Sequence, residues 1–325
     1  MISTDLPWRV AFLTLIKIGL LGNSSLLCFY TFTLISGLNL RPVDKILNQL
    51  VLANCFVLLS KGIPQEMADW GLRYFLDDVG CKLLFYLHRM AREVSLSTTC
   101  LLGGFQAFKL CPLASKWMEL TVRSPKSINF LCALCWVLSF LLNVHVAVKV
   151  KGADRSQNTS MGKAFASCMA PSTSIVTYSL LSSIVFFIDY VLLGLMIWAS
   201  GSMVLFLHRH KQRVQHIHSH KVSPRLSHED RATHTILILV TMFVLFYSIS
   251  SIVTLHMALL LTPAKWLADT SVFMSLCFPT LSPFVLLSSD IRISKLWLAW
   301  LEKCRSFLFY VGLCITQGSL EDYHK

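Results

Sequence analysis

Four ionisable side chains interrupt one otherwise apolar stretch of the chain. They are His88, Arg89, Arg92 and Glu93. A charged side chain at mid-bilayer costs roughly 2.5 to 3.5 kcal/mol even on the lenient insertion scale, so these groups must face protein or water. The spacing of four residues puts His88 and Arg92 on one helix face. We expect that face to line an outward-opening cavity, where both side chains would prefer an acceptor-rich or anionic group.

Two acids leave a second interpretation open. Glu93 follows Arg89 by four residues, and Asp189 lies in another apolar run. These acids could neutralise Arg89 and Arg92 and lock the helices together, and they could also cancel a preference for anions. The candidate ligand-binding residues are therefore His88, Arg92, Glu93 and Asp189, with both interpretations kept.

Seven apolar runs must position these side chains. They are 10–35, 46–63, 79–108, 128–148, 176–207, 235–261 and 266–287. About 20 helical residues cross a hydrocarbon core, and 54% of the chain is hydrophobic while only 14% is charged. Strands of a membrane barrel are too short for such runs, and a soluble bundle would need polar helix faces. The sequence predicts an all-α membrane protein, a bundle of seven transmembrane helices.

The distribution of Lys and Arg predicts the orientation of this bundle. Basic residues concentrate in the connections after the first, third and fifth runs and in the tail, which indicates an outside amino terminus and an inside carboxyl terminus. We expect an extracellular segment 1–9, a membrane domain 10–287 and a cytoplasmic tail 288–325. The net charge of +12 then reflects topology and anionic membrane lipid, not nucleic acid. The basic, His-rich stretch 208–234 lacks interleaved aromatic residues, and we expect no metal site there.

Two features of the outer loops fit this orientation. Asn158-Thr-Ser160 is a glycosylation acceptor in the second outer loop. Cys81 and Cys168 are the two cysteines that the oxidising exterior would reach, and they can form a disulfide between that loop and the third run. The other cysteines are expected to stay reduced, with Cys304 a candidate for palmitoylation.

A series of short motifs follows in order along the chain between residues 41 and 284. They include Arg41-Pro-Val-Asp44, Leu52-Ala-Asn54, Asp78-Val-Gly-Cys81, Tyr86-Leu-His88-Arg89, Ser95-Leu-Ser-Thr-Thr-Cys100, His208-Arg209-His210-Lys211 and Cys277-Phe-Pro279-Thr-Leu-Ser-Pro283. Together they resemble the vomeronasal type-1 receptors over nearly the whole chain. The resemblance implies a G-protein-coupled receptor in the plasma membrane of sensory neurons, with a small-molecule pheromone as ligand and an inhibitory-class heterotrimeric G protein as partner.

The chain departs from the wider rhodopsin-like superfamily at the expected inner end of the third run. The third run ends in Phe105-Gln106-Ala107 where that superfamily has Asp-Arg-Tyr, so its ionic lock cannot be transferred. We expect movement of the fifth and sixth runs to open a cleft for a carboxyl-terminal helix of the G protein. The residues expected to edge this cleft are Gln106, Arg209, Lys211 and Arg231.

Two prolines in the seventh run predict a bend. Pro279 and Pro283 each remove one helical hydrogen bond, which is tolerated where neighbours or water satisfy the freed carbonyls. Passive packing is the alternative interpretation.

Three other classes of membrane protein fit less well. A secondary transporter would show internal repeats with matching broken helices, and an opsin would need a lysine within the seventh run. An enzyme would need a nucleophile with a base, or a metal constellation. The sequence therefore predicts a receptor, not an enzyme, and requires no cofactor.

Overall fold

Within its described residues, the computed structural model consists of seven long helices and one short pair of strands. The helices are α1 (Leu6–Ile35), α2 (Pro42–Asp69), α3 (Asp78–Leu110), α4 (Pro125–Lys149), α5 (Ile175–Ile217), α6 (His228–Leu259) and α7 (Lys265–Ser289). The structure describes residues 6–37, 41–69, 78–110, 125–149, 151–152, 168–169, 175–217, 228–259 and 265–289, with the single positions 294, 298 and 302. Each predicted run coincides with one helix, except that 260 and 261 lie outside the described residues.

Six of these helices are long and apolar enough to cross a membrane, namely all except α3. The exception is the helix that the sequence marked as interrupted by charge. α1 begins at Leu6, ahead of the predicted start at residue 10, and Pro7 suits this first turn because an N–H there would have no helical partner.

Helix α3 lies at the centre of the bundle. It contacts α2, α4, α5 and α6, while α7 contacts α6, α1 and α2. Buried apolar side chains such as Leu96 and Leu102 pack between them, whereas Phe140 on α4 and Trp198 on α5 are exposed. Helices α4 and α5 both pack against α3 but contact each other only sparsely, so a gap remains between them.

Two glycines allow α1 to approach α7 closely. A Cβ atom at Gly19 would lie 2.8 Å from the hydroxyl oxygen of Thr280 and 3.1 Å from its Cα atom. A Cβ atom at Gly22 would lie 2.9 Å from Cγ of Pro283. Larger side chains would push the two helices apart at the proline-containing part of α7.

A pair of two-residue strands adds a small departure from the all-α prediction. Strand β1 (Lys151–Gly152) pairs antiparallel with β2 (Cys168–Met169), with Gly152 opposite Cys168. Strand β1 also contacts α3, so the connection between α4 and α5 reaches the central helix.

Candidate functional site

The structure brings the four candidate ligand-binding residues together. His88, Arg92 and Glu93 on α3 and Asp189 on α5 line one polar cavity of about 80 Å³. Both acids are buried, and His88 and Arg92 are partly buried. Arg89 also lines the cavity, so His88, Arg89, Arg92 and Glu93 all border the same space.

An amide side chain connects Arg89 with Glu93. Arg89 donates through Nε to Oδ1 of Asn143 on α4 at 3.3 Å, and Asn143 donates through Nδ2 to Oε2 of Glu93 at 2.6 Å. Asn143 is fully buried. It supplies an acceptor to the guanidinium and a donor to the acid, which is how polar groups become tolerable away from water.

A tyrosine connects Arg92 with Asp189. The Arg92 guanidinium carbon lies 4.3 Å from the centre of the Tyr247 ring, within range of a cation–π interaction. Tyr247 on α6 donates its hydroxyl proton to Oδ2 of Asp189 at 2.5 Å. Arg92 also donates to Oγ of Ser251 at 3.1 Å. Arg92 therefore links the central helix to α6 and, through Tyr247, to α5.

Neutral side chains thus replace the direct ion pairs that the locking interpretation implied. Among the described side chains, neither arginine forms a salt bridge with Glu93 or Asp189; their contacts run through Asn143 and Tyr247. Sequence reasoning missed these two mediators. The signal that could have identified them is that each is a polar side chain within an otherwise apolar run.

A second, smaller cavity adjoins the first. His88 and Arg92 also line this space of about 30 Å³, together with Phe243 and Tyr247 of α6 and Phe278 of α7. The two side chains therefore border both cavities. Nδ1 of His88 is 3.1 Å from Oγ of Ser60 on α2, which fixes the ring against that helix.

Deeper in the bundle, a polar network surrounds the two prolines of α7. Pro283 has no N–H to offer the carbonyl of Pro279, and Asn23 on α1 donates to that carbonyl at 2.7 Å. Ser95 donates to Asn54 at 3.0 Å, and Asn54 donates to Ser282 at 3.0 Å. Helices α1 and α2 thus bond to α7 near the predicted bend, and α3 joins them through Asn54.

Near the carboxyl-terminal end of α3, Gln106 points into the bundle. Its side chain is only 3% exposed and donates to the hydroxyl oxygen of Thr233 on α6 at 2.5 Å. Arg209 and Arg231 are exposed, and the side chain of Lys211 lies outside the described part of the chain. In this closed arrangement Gln106 joins α3 to α6 and does not edge an open cleft.

Comparison with known proteins identifies the family. Residues 7–299 match the model described as "Vomeronasal organ pheromone receptor family". The chain belongs to the vomeronasal type-1 receptor family. It is 49% identical to "Vomeronasal type-1 receptor 1" of Homo sapiens over 88% of this chain and 81% of that protein. It is 45% identical to "Vomeronasal type-1 receptor 4" of Pongo pygmaeus over 87% of this chain and 94% of that protein. It is 31% identical to "Olfactory receptor class A-like protein 1" of Danio rerio over 87% of this chain and 89% of that protein.

Membership gives the coarse function. The vomeronasal type-1 receptors are chemosensory receptors of the G-protein-coupled type, and they are receptors rather than enzymes. The six long apolar helices agree with a multi-pass protein of the plasma membrane. Within the described residues, no group of three His, Cys, Asp or Glu side chains could hold a metal ion.

The outer and tail features of this vomeronasal receptor are only partly described. Cys81 is fully buried and disulfide-bonded, while the side chain of Cys168 lies outside the described residues, as do Asn158 and Cys304. Six further cysteines are free thiols, as expected: Cys28, Cys55, Cys100, Cys132, Cys135 and Cys277.

Proposed function

We propose that this receptor crosses the plasma membrane seven times and transmits the binding of a small-molecule pheromone to an inhibitory-class heterotrimeric G protein. Residues 1–9 would lie outside, 10–287 would form the membrane domain, and 288–325 would form the cytoplasmic tail. The ligand site is the pair of cavities bordered by His88 and Arg92, with Glu93 and Asp189 as its acidic wall.

The contacts of Arg92 carry this proposal. Arg92 contacts Ser251 and the ring of Tyr247, and Tyr247 in turn donates to Asp189. A ligand that offers an anionic or acceptor group to the guanidinium competes with both α6 contacts. Such a ligand binds a state with α6 released more tightly than the present state, and only that difference in affinity can shift the balance.

The cavity sizes support a rearrangement on binding. Ligand pockets measure about 300 to 1,000 Å³, whereas the two cavities here measure about 80 and 30 Å³. Because Arg92 and His88 border both, displacement of the Arg92 side chain from Tyr247 would join them. Ligand binding and loss of the α3–α6 contact are then one event.

The same movement would expose the G-protein surface. Outward motion of α6 would break the hydrogen bond between Gln106 and Thr233 and open the inner end of the bundle. Gln106 would then join Arg209, Lys211 and Arg231 around a groove for the carboxyl-terminal helix of the G protein. The bend proposed at Pro279 and Pro283 would let α7 follow α6, which it contacts.

Two outer features complete the proposal. The disulfide of Cys81 would pair with Cys168, since β2 carries Cys168 and its partner strand β1 contacts α3. Asn158 would be glycosylated on the extracellular side. The disulfide would hold the loop between α4 and α5 over the ligand entrance.

The test is to replace Arg92 in cells that report inhibitory-class G-protein activation. Wild-type receptor is first screened against fractions of urinary and glandular extracts, and active anionic fractions are then applied to Arg92→Ala and Arg92→Lys. We expect Arg92→Ala to lose potency by about 10- to 100-fold, because hydrogen bonds to a charged group contribute about 1.5 to 3 kcal/mol. Arg92→Lys keeps the charge and should lose less. Unchanged potency of anionic ligands on a surface-expressed Arg92→Ala receptor would overturn the assignment.

A further inference from the structure

A large cavity adjoins the proposed ligand site, in the gap between α3, α4 and α5. It measures about 470 Å³, within the range of small-molecule sites and far larger than the space beside Arg92. Its lining is overwhelmingly apolar and includes Leu134, Leu138 and Phe108, which are partly exposed on the outer surface of the bundle. The sparse contact between α4 and α5 leaves the cavity open toward lipid.

One end of this cavity is acidic. Glu93 and Asp189 line it together with Ser139, and no basic side chain is among its described lining residues. The same two acids border the polar cavity from the other side. The two acids therefore separate a polar cavity lined by arginines from a cavity lined by apolar side chains.

Each acid keeps one oxygen for a further donor. Among the described side chains, Glu93 accepts a hydrogen bond at Oε2 from Asn143, and Asp189 accepts one at Oδ2 from Tyr247. The second oxygen of each carboxyl group has no donor among those side chains. A carboxyl oxygen that borders an apolar space is costly unless a hydrogen bond reaches it, so the cavity favours an occupant that brings a donor.

The depth of the acids restricts that occupant. Along α3 the lining runs inward from Glu93 to Phe108, which at 1.5 Å per residue is about 22 Å. The polar end therefore lies deep and the apolar part extends toward the inner leaflet. A phospholipid that keeps its charged headgroup at the interface would present only hydrocarbon to the two acids, whereas a single hydroxyl group is small enough to reach them and be paired.

We propose that this cavity is a second binding site, entered sideways from the membrane, for a neutral apolar molecule that carries one hydroxyl group. The hydroxyl donates to Glu93 or Asp189, and the hydrocarbon body fills the channel between α3, α4 and α5. The chemistry is shared by a membrane sterol and by a long-chain alcohol from outside the cell. Because Glu93 accepts from Asn143 and Asp189 accepts from Tyr247, an occupant affects the two side chains that Arg89 and Arg92 contact.

The full-length receptor in nanodiscs of sterol-free phosphatidylcholine tests the site without any signalling readout. The probe is hexadecanol carrying a diazirine and an alkyne on its chain, and its methyl ether serves as the matched probe without a donor. Illumination followed by peptide mapping locates the captured molecule. Because a hydrogen bond to a charged group contributes about tenfold or more in affinity, the alcohol should label the facing segments of α3, α4 and α5 about tenfold more than the ether.

Two glycines provide a matched pair of variants. A Cβ atom at Gly104, which lines the cavity, meets nothing within 4 Å, and neither does one at Gly194, which lies on α5 outside the lining. Gly104→Leu should fill the channel and reduce capture about tenfold, while Gly194→Leu should leave it unchanged. Equal capture by wild type and Gly104→Leu would place the molecule elsewhere, and equal capture of alcohol and ether would reduce the site to a hydrocarbon groove; either result overturns the proposal.

Unlabelled competitors distinguish the two sources. Competition by added cholesterol supports a sterol of the bilayer as occupant, and competition by hexadecanol alone supports an exogenous alcohol. Failure of both competitors to reduce labelling would show that capture is not saturable, and the site would be rejected.

Discussion

Replacing Tyr247 by Phe removes one hydroxyl group from the centre of the proposed switch. The aromatic ring remains, so its contact with the Arg92 guanidinium at 4.3 Å is kept. What is lost is the hydrogen bond to Asp189, which leaves this buried acid without its described donor. If that bond holds α5 and α6 in the resting arrangement, its removal should favour the signalling state.

The size of the effect follows from the kind of hydrogen bond. A bond to a charged group contributes about 1.5 to 3 kcal/mol, and each 1.4 kcal/mol changes an equilibrium constant about tenfold. Tyr247→Phe should therefore shift the ratio of signalling to resting receptor by about 10- to 100-fold. The assay is ligand-independent G-protein activation, normalised to receptor at the cell surface.

Tyr190 provides the matched control for this experiment. It is the next residue after Asp189 but is 57% exposed on the outer face of α5, so Tyr190→Phe removes the same hydroxyl without touching the switch. Basal activity of this control should equal that of wild type. If Tyr247→Phe also shows wild-type basal activity at equal surface expression, the hydrogen bond does not hold the resting state and the reasoning fails.

Two further predictions concern contacts between helices. Thr233→Val keeps the shape of Thr233 but removes the hydroxyl that accepts from Gln106. Because an unsatisfied buried donor costs about 1 to 3 kcal/mol, basal G-protein activation should rise. Unchanged basal activation would contradict a role for this bond in closure. Gly19→Leu places new atoms against the backbone of Thr280 and should destabilise the purified receptor by about 1 to 3 kcal/mol, measured as a lower unfolding temperature in detergent. Gly194→Leu, which meets open space, should unfold at the wild-type temperature, and an equal loss in both variants would show that crowding between α1 and α7 is not the cause.

The positions of the helices followed from the sequence because a membrane leaves the backbone few options. A run of apolar residues must satisfy its own hydrogen bonds in lipid, and all seven runs are helical where they are described. The charges of α3 could also be assigned to the protein interior, because lipid would not accept them. Length, hydropathy and charge sufficed for these predictions.

The contacts between helices could not be predicted in the same way. Periodicity tells which residues share a face, but the rotation of one helix against another decides whether Arg89 meets Glu93 directly or through Asn143. The same limit applies to Gln106, whose position at the inner end of α3 was clear while its partner on α6 was not. These choices depend on packing across many residues at once.

The bond between Asn23 and the carbonyl of Pro279 has a consequence for biogenesis. It joins α1 to α7, which are far apart in the chain, and the carbonyl that Pro283 leaves free cannot be accommodated in hydrocarbon on its own. Until α7 has been inserted, the Asn23 side chain keeps only its local bond to the Gly19 carbonyl. Closure of the bundle therefore waits for the synthesis and insertion of α7. A chain truncated before α7 would present an unclosed bundle to membrane quality control.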